Sequence, residues 1–135
     1  MKMNSSLPLL YYCDFTAPDG STWPIYFVAG DLRKLLKKGE RVHGLTKDKM
    51  LLGLTDRDER CVYLDASNPC FRTSGTHEMV HVAMLDAGFD AASEELVADL
   101  AQQFQIVFGS FGFKWPEVPE GFEAFRDKAR RAVMK

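Results

Sequence analysis

Cysteine, long apolar runs and net charge are all scarce in this sequence, and each shortage excludes a class of protein. The three cysteines are odd in number and show no CxxC spacing, which excludes a disulfide framework and a zinc ribbon. No stretch approaches the roughly 18 apolar residues of a membrane helix. The net charge of −2 gives no electrostatic reason to expect nucleic acid or an anionic membrane as a partner. Since the apolar run near the N-terminus is also too short for a signal peptide, we expect a cytoplasmic protein with reduced thiols.

The rest of the composition is that of an ordinary globular domain. Hydrophobic residues make up 46% of the 135 positions and charged residues 27%. No internal repeat, low-complexity segment or shift in composition marks a boundary. We therefore expect residues 1–135 to form a single domain.

Runs of aromatic and branched residues predict the strands, and apolar residues at the 3.6-residue period predict the helices. The first two strands, Leu9–Phe15 and Trp23–Val28, flank turn residues and predict a hairpin. The other predicted elements, in chain order, are a short helix Asp31–Lys38, strands Met50–Thr55 and Cys61–Asp65, a helix ending at Gly88, and helices Ser93–Phe111 and Glu120–Lys135. Because the strands precede the helices, we expect an α+β fold with a small, mainly antiparallel sheet.

The helix from Ser93 to Phe111 is predicted to bury a broad apolar face. Its apolar residues repeat at the helical period: Leu96, Val97, Leu100, Phe104, Val107, Phe108 and Phe111. We expect this face, centred near Phe104 and Phe111, to belong to the core, with a substrate-binding groove along Phe104–Phe113 as the alternative. Oligomeric state is left open, although two aromatics that could be exposed, Trp23 and Trp115, are candidates for a dimer interface.

The most informative stretch is His77-Glu78-Met79-Val80-His81. Residues four apart on a helix lie on one face, so the imidazoles of His77 and His81 can bind one zinc ion. Glu78 flanks the same face and can accept a proton from zinc-bound water as a general base. This pattern predicts the catalytic helix of a small zinc metallopeptidase. His43, the remaining histidine, stands in a glycine-containing loop and is interpreted as a turn residue.

A catalytic zinc usually has three protein ligands, so a third ligand must be found. The extended pattern with a third histidine fails, because Met84 and Ala87 stand where glycine and histidine are required. Glu94 and Glu95, at the start of the following helix, are the candidates. At about 100° per residue, Glu94 lies at the rim of the apolar face and Glu95 points away from it, which favours Glu94. In favour of Glu95, its spacing to Asp99 matches that of a ligand with a supporting carboxylate.

Taken together, the motif and the glutamate helix resemble a known family. HEMVH followed by EELVADLA (94–101) is similar to the compact gluzincins of the ImmA/IrrE type and their relatives in phages and mobile elements. In these proteins HExxH precedes a glutamate in a pattern close to E-x-x-[AV]-x-x-[FL]-A, which Glu94, Val97, Leu100 and Ala101 match. The resemblance covers roughly residues 43–111.

This resemblance implies a zinc-dependent peptidase that acts on a protein, in the best-known cases a repressor, with a twisted sheet packed on two metal-binding helices. His77, His81 and Glu94 would then hold Zn²⁺, and Glu78 would be the base. A further hypothesis is that Cys61–Asp65 offers a sheet edge to an extended substrate.

One departure from the pattern leaves a second function open. Larger gluzincins stabilise the oxyanion with a downstream histidine or tyrosine, and none follows Glu94 in this chain. Tyr26, Tyr63 or Arg72 could serve from upstream. The alternative is a non-catalytic phage or mobile-element interaction protein whose metal is structural or vestigial, with Cys70 or Asp90 as a fourth ligand.

Overall fold

The computed structural model describes residues 7–36, 51–88 and 94–133 of the chain. Within these residues the elements are β1 (Leu9–Thr16), β2 (Thr22–Val28), a 3₁₀ helix (Leu32–Leu35), β3 (Gly53–Asp56), β4 (Cys61–Asp65), α1 (Phe71–Asp86), α2 (Glu94–Ser110) and α3 (Phe122–Val133). Strands come first and α-helices follow, so the predicted α+β fold is confirmed. No helix in these described residues is long and apolar enough to cross a membrane.

The predicted hairpin is present as β1 and β2. The two strands pair antiparallel from Leu9 opposite Val28 to Thr16 opposite Thr22, with a bulge between Tyr11 and Cys13. Gly20 closes the turn with a φ of 89°, a conformation that glycine adopts without a steric penalty.

The described strands form one mixed sheet in the order β1-β2-β4-β3. β4 runs parallel to β2 and antiparallel to β3, so its backbone is paired on both sides. The hypothesis that Cys61–Asp65 offers a sheet edge is therefore wrong. Among the described strands, the edge on this side of the sheet belongs to β3, which also begins later than the predicted strand Met50–Thr55.

One face of the sheet packs on α1 and α3 and forms the main core. Its largest buried side chains come from both layers and are Ile25, Phe27, Val62, Leu64, Phe71, Val82 and Phe122. Trp23 is 4% exposed, and the Trp115 ring packs on Tyr12, so neither tryptophan forms the exposed surface suggested from the sequence. A Cβ at Gly75 would lie 2.6 Å from the Trp115 ring, so the glycine lets this ring pack directly on α1.

The opposite face of the sheet is covered by residues that follow β2. Leu32 of the 3₁₀ helix is fully buried there together with Val28, Leu54 and Tyr63. Asp31 caps this helix by accepting a hydrogen bond from the backbone N–H of Arg33. The helix is shorter than the predicted Asp31–Lys38, whose last two residues lie outside the described residues.

The prediction for α2 is correct in its bounds and wrong in its burial. Val97 and Ala101 are buried against Val80 of α1. Beyond Ala101 every residue of α2 is exposed, and Phe111, at the expected centre of the core face, is 75% exposed. The physical reason is that the buried packing of α2 on α1 ends at Ala101. Farther along, Gln105 still bonds Thr73 of α1, but a cavity separates the two helices and leaves the periodic face uncovered.

Candidate metal centre

The helix that carries the histidines is defined at both ends by local chemistry. Before it, the side chain of Asn68 accepts a hydrogen bond from the backbone N–H of Cys70 and donates one to Ser74. After it, Gly88 adopts a φ of 90° and its N–H bonds the carbonyl of Leu85, as the sequence predicts. His77 and His81 therefore lie on consecutive turns of one continuous helix, α1.

The structure brings His77, Glu78 and His81 together as a group of possible metal ligands. Their ligand atoms lie within 4.8 Å of one another. The two imidazole rings are 4.9 Å apart between centroids, and both residues are half-buried. Two nitrogens on one tetrahedral zinc ion, each at about 2.0–2.1 Å, would be about 3.4 Å apart. The two imidazoles would therefore have to rotate toward each other to share one cation, and two imidazoles are a donor set that suits zinc.

Glu78 points from α1 toward β3, where two residues hold its carboxylate. The Thr55 hydroxyl donates a hydrogen bond of 2.8 Å to Glu78 Oε1. A Cβ at Gly53 would lie 3.0 Å from Cγ and 3.1 Å from Oε2 of Glu78, so the glycine makes room for the side chain. Glu78 is only 8% exposed as a result. The sequence reasoning missed both residues, because contacts across 23 and 25 positions leave no local pattern.

This arrangement places the carboxylate between α1 and an edge of the sheet. Gly53 and Thr55 share the face of β3 that points to α1, while Leu54 between them points to the opposite core. The backbone of β3 is thus beside Glu78, which belongs to the same group as the two histidines. One side of β3 pairs with β4, and its other side is an edge of the described sheet.

The third-ligand prediction concerns the start of α2. Glu94 is the first residue of this helix, and its side chain lies outside the described residues. Gln105 bonds Thr73 at 3.2 Å, and Val97 packs on Val80, so α2 runs antiparallel to α1 and begins near the end of α1 beyond His81. Glu95 is exposed, and among the described residues it is not part of the ligand group.

The cysteines of the described residues do not join the group either. Cys70 precedes the first turn of α1, and seven residues of helix place it about 10 Å along the axis from His77. Burial raises the pKa of the Cys13 and Cys61 thiols to about 11, so both stay protonated at neutral pH. Asp90 and His43, the other residues considered from the sequence, lie outside the described residues.

The upstream candidates for an oxyanion donor lie away from the histidines. Tyr26 and Tyr63 stack on each other on the face of the sheet opposite α1. Burial, and then a hydrogen bond to Cys61, raise the pKa of the Tyr63 phenol above its usual range. Arg72 is exposed at the start of α1 with its guanidinium 4.5 Å above the Phe71 ring. No sequence pattern constrains where these three residues lie, and the fold separates them from the group.

Comparison with known proteins adds no family to this description. The chain matches no family model, and neither characterised proteins nor solved structures show a significant similarity to it.

Proposed function

We propose that this chain is a zinc-dependent peptidase that hydrolyses a peptide bond in a protein substrate. The observation that carries the proposal is the group His77, Glu78 and His81, gathered within 4.8 Å beside an edge strand. Two imidazoles with one adjacent buried carboxylate are the parts that metal-assisted hydrolysis requires. The resemblance of the motif and of α2 to compact gluzincins supports the same conclusion.

In this proposal His77 and His81 hold the zinc ion, and Glu94 at the start of α2 is the third ligand. When bound, zinc would lower the pKa of a coordinated water and polarise the carbonyl of the bond to be cut. The antiparallel course of α2 along α1 supports the choice of Glu94, because it brings the first turn of α2 toward His81. The exposure of Glu95 supports the same choice.

Glu78 acts as the general base. Its carboxylate accepts the proton of the attacking water and passes it to the leaving amine. The Thr55 hydroxyl donates a hydrogen bond to Oε1 and thereby holds the carboxylate in one orientation. Because Glu78 is almost fully buried, the rotation of its side chain is restricted before substrate binds.

The substrate would lie along β3 as an added strand. An edge strand offers unpaired backbone N–H and C=O groups that bind an extended peptide. β3 is the described edge strand next to the histidines, and it also carries the two residues that hold Glu78. We propose a protein substrate, with a repressor as the first candidate because of the family resemblance.

A zinc-dependent assay tests the proposal without knowledge of the substrate. The zinc-loaded chain is incubated with a complex mixture of unfolded peptides, and mass spectrometry identifies new termini. We expect cleavage that a chelator stops and that added zinc restores. Metal-free and metal-loaded protein giving the same peptide pattern would contradict the proposal and favour a non-catalytic interaction protein.

Thr55 is predicted to position the carboxylate of Glu78 for catalysis. In Thr55→Val the side chain keeps its shape and loses the hydrogen bond to Glu78. A hydrogen bond to a charged group contributes about 1.5–3 kcal/mol, so we expect kcat to fall roughly 10- to 100-fold with little change in KM or zinc content. Thr55→Ser keeps the hydroxyl and should retain most of the activity. Equal kcat values for the valine and serine variants would remove Thr55 from the mechanism.

A further inference from the structure

The second half of α2 presents an uncharged, exposed surface. Every residue from Gln102 to Phe113 is exposed, and none of them carries a charge. Residues of this surface also line a cavity of about 380 Å³ between α1, α2 and the loop that leads to Trp115. An apolar surface of this extent on a small domain marks a site of association.

Five residues form a line along α2 and the turn that follows it, which we name the α2 seam: Leu96, Leu100, Gln103, Val107 and Phe111. Their spacing of four, three, four and four positions is close to the heptad spacing of paired helices. At about 100° per residue the four that belong to α2 fall within a sector about 60° wide. The centre of this sector is turned roughly 100° from Val97 and Ala101, which face α1. Leu100 is partly buried at the border with α1, and the other four seam residues are exposed.

We propose that the α2 seam is the interface of a homodimer in which two α2 helices pack antiparallel about a two-fold axis near Gln103. This position is the middle of the seam, so the antiparallel arrangement places Gln103 opposite its own copy. A side-chain amide has both donors and an acceptor, and two amides related by a two-fold axis satisfy each other. A polar residue in the middle of an apolar seam also fixes the register of helix pairing.

The charges at the two ends of α2 fit an antiparallel copy. Glu95 and Asp99 are exposed near the start of the helix, and Lys114 is exposed just after its end. In the antiparallel pair the acidic start of one helix lies near Lys114 of the other. The opposed helix dipoles add a small favourable term.

The exposed apolar side chains of the seam contribute area to this contact. Phe111 is 75% exposed, and Leu96 and Val107 are exposed by 45% and 46%. Phe113, just beyond the end of the seam, is 67% exposed.

A membrane surface fits this helix less well. Amphipathic helices that bind membranes carry Lys or Arg on the polar face, and α2 has neither. Its charged residues are acidic and would be repelled by anionic lipids. The seam of a second copy carries no charged side chain, so the pairing of two seams brings no like charges together.

Sedimentation of the full chain from roughly 1 to 200 µM tests the dimer. We expect a reversible monomer–dimer equilibrium in the micromolar range. Gln103→Glu places two carboxylates face to face across the axis and should weaken the dimer by at least about 10-fold. Gln102→Glu adds the same charge about 100° around the helix and should change the dissociation constant less than about two-fold. Both sites are exposed, and thermal melting by circular dichroism checks that the fold is kept.

Three results would overturn the proposal, and none depends on peptidase activity. The first is a monomer over the whole concentration range. The second is an equal effect of the two glutamate variants, which would place the contact elsewhere on the molecule. The third is a mass that keeps rising with concentration, because that indicates open association through a non-symmetric contact.

Discussion

Glu78→Gln is expected to abolish peptide hydrolysis while the chain keeps its zinc and its fold. Glutamine has nearly the same shape as glutamate and its amide oxygen can still accept the hydrogen bond from Thr55, 2.8 Å away in the wild-type structure. It cannot accept the proton of the attacking water at neutral pH. General base catalysis contributes about 10²- to 10⁴-fold, so kcat should fall by at least this factor.

A matched variant separates this effect from a change of net charge. Glu120 is exposed in the loop before α3, and Glu120→Gln removes the same charge far along the chain from the histidines. We expect its kcat to equal that of the wild type, and both variants to bind one zinc ion. A metal-loaded Glu78→Gln protein that still turns over at the wild-type rate would remove Glu78 from the role of base. The same inactive variant can be used to capture uncleaved substrates.

His77→Ala is expected to remove zinc from the purified chain. The substitution leaves one imidazole and one carboxylate on a site that needs three protein ligands. Structural zinc sites with four ligands bind with about 10–16 kcal/mol in total, so the loss of one of three ligands should weaken affinity by about 100-fold or more. Because the His77 side chain is only half-buried, its loss leaves no large cavity, and the metal-free fold should persist.

Metal analysis of the purified proteins measures this loss of zinc directly. His43→Ala serves as the control, since the sequence assigns His43 to a turn. Glu94→Gln and Glu95→Gln, compared in the same way, decide the third ligand: only the first should lose zinc. Stoichiometric zinc in His77→Ala would exclude His77 from the site, and loss of zinc in Glu95→Gln alone would reverse the choice between the glutamates.

Much of the fold could be predicted because its signals are local. Turn residues between two aromatic runs predict the hairpin, and Gly88 predicts the end of α1. The burial of Phe122 and Ala129 on α3 follows from their spacing on an amphipathic helix. The pairing of His77 with His81 is likewise a local property, because helix geometry alone brings residues four apart together.

The parts that failed depend on contacts between distant segments. Periodicity identifies an apolar face on α2 and does not say what covers it, so it predicts Phe104 and Phe111 in the core although the structure leaves them exposed. The order of strands is equally non-local, and it makes β3 an edge in the described sheet, whereas the sequence predicts an edge at Cys61–Asp65. Thr55 was missed for the same reason, since only the packing of β3 on α1 reveals its contact with Glu78.

X-ray absorption at the zinc edge of the purified chain tests the central claim, that the two histidines of α1 form a catalytic zinc site. We expect one zinc ion per chain, with scattering from two imidazoles and with oxygen and nitrogen ligands at about 2.0–2.2 Å. A sulfur ligand at about 2.3 Å would indicate a closed structural site with cysteine. A spectrum without imidazole scattering, or a chain that binds no zinc, would contradict the account.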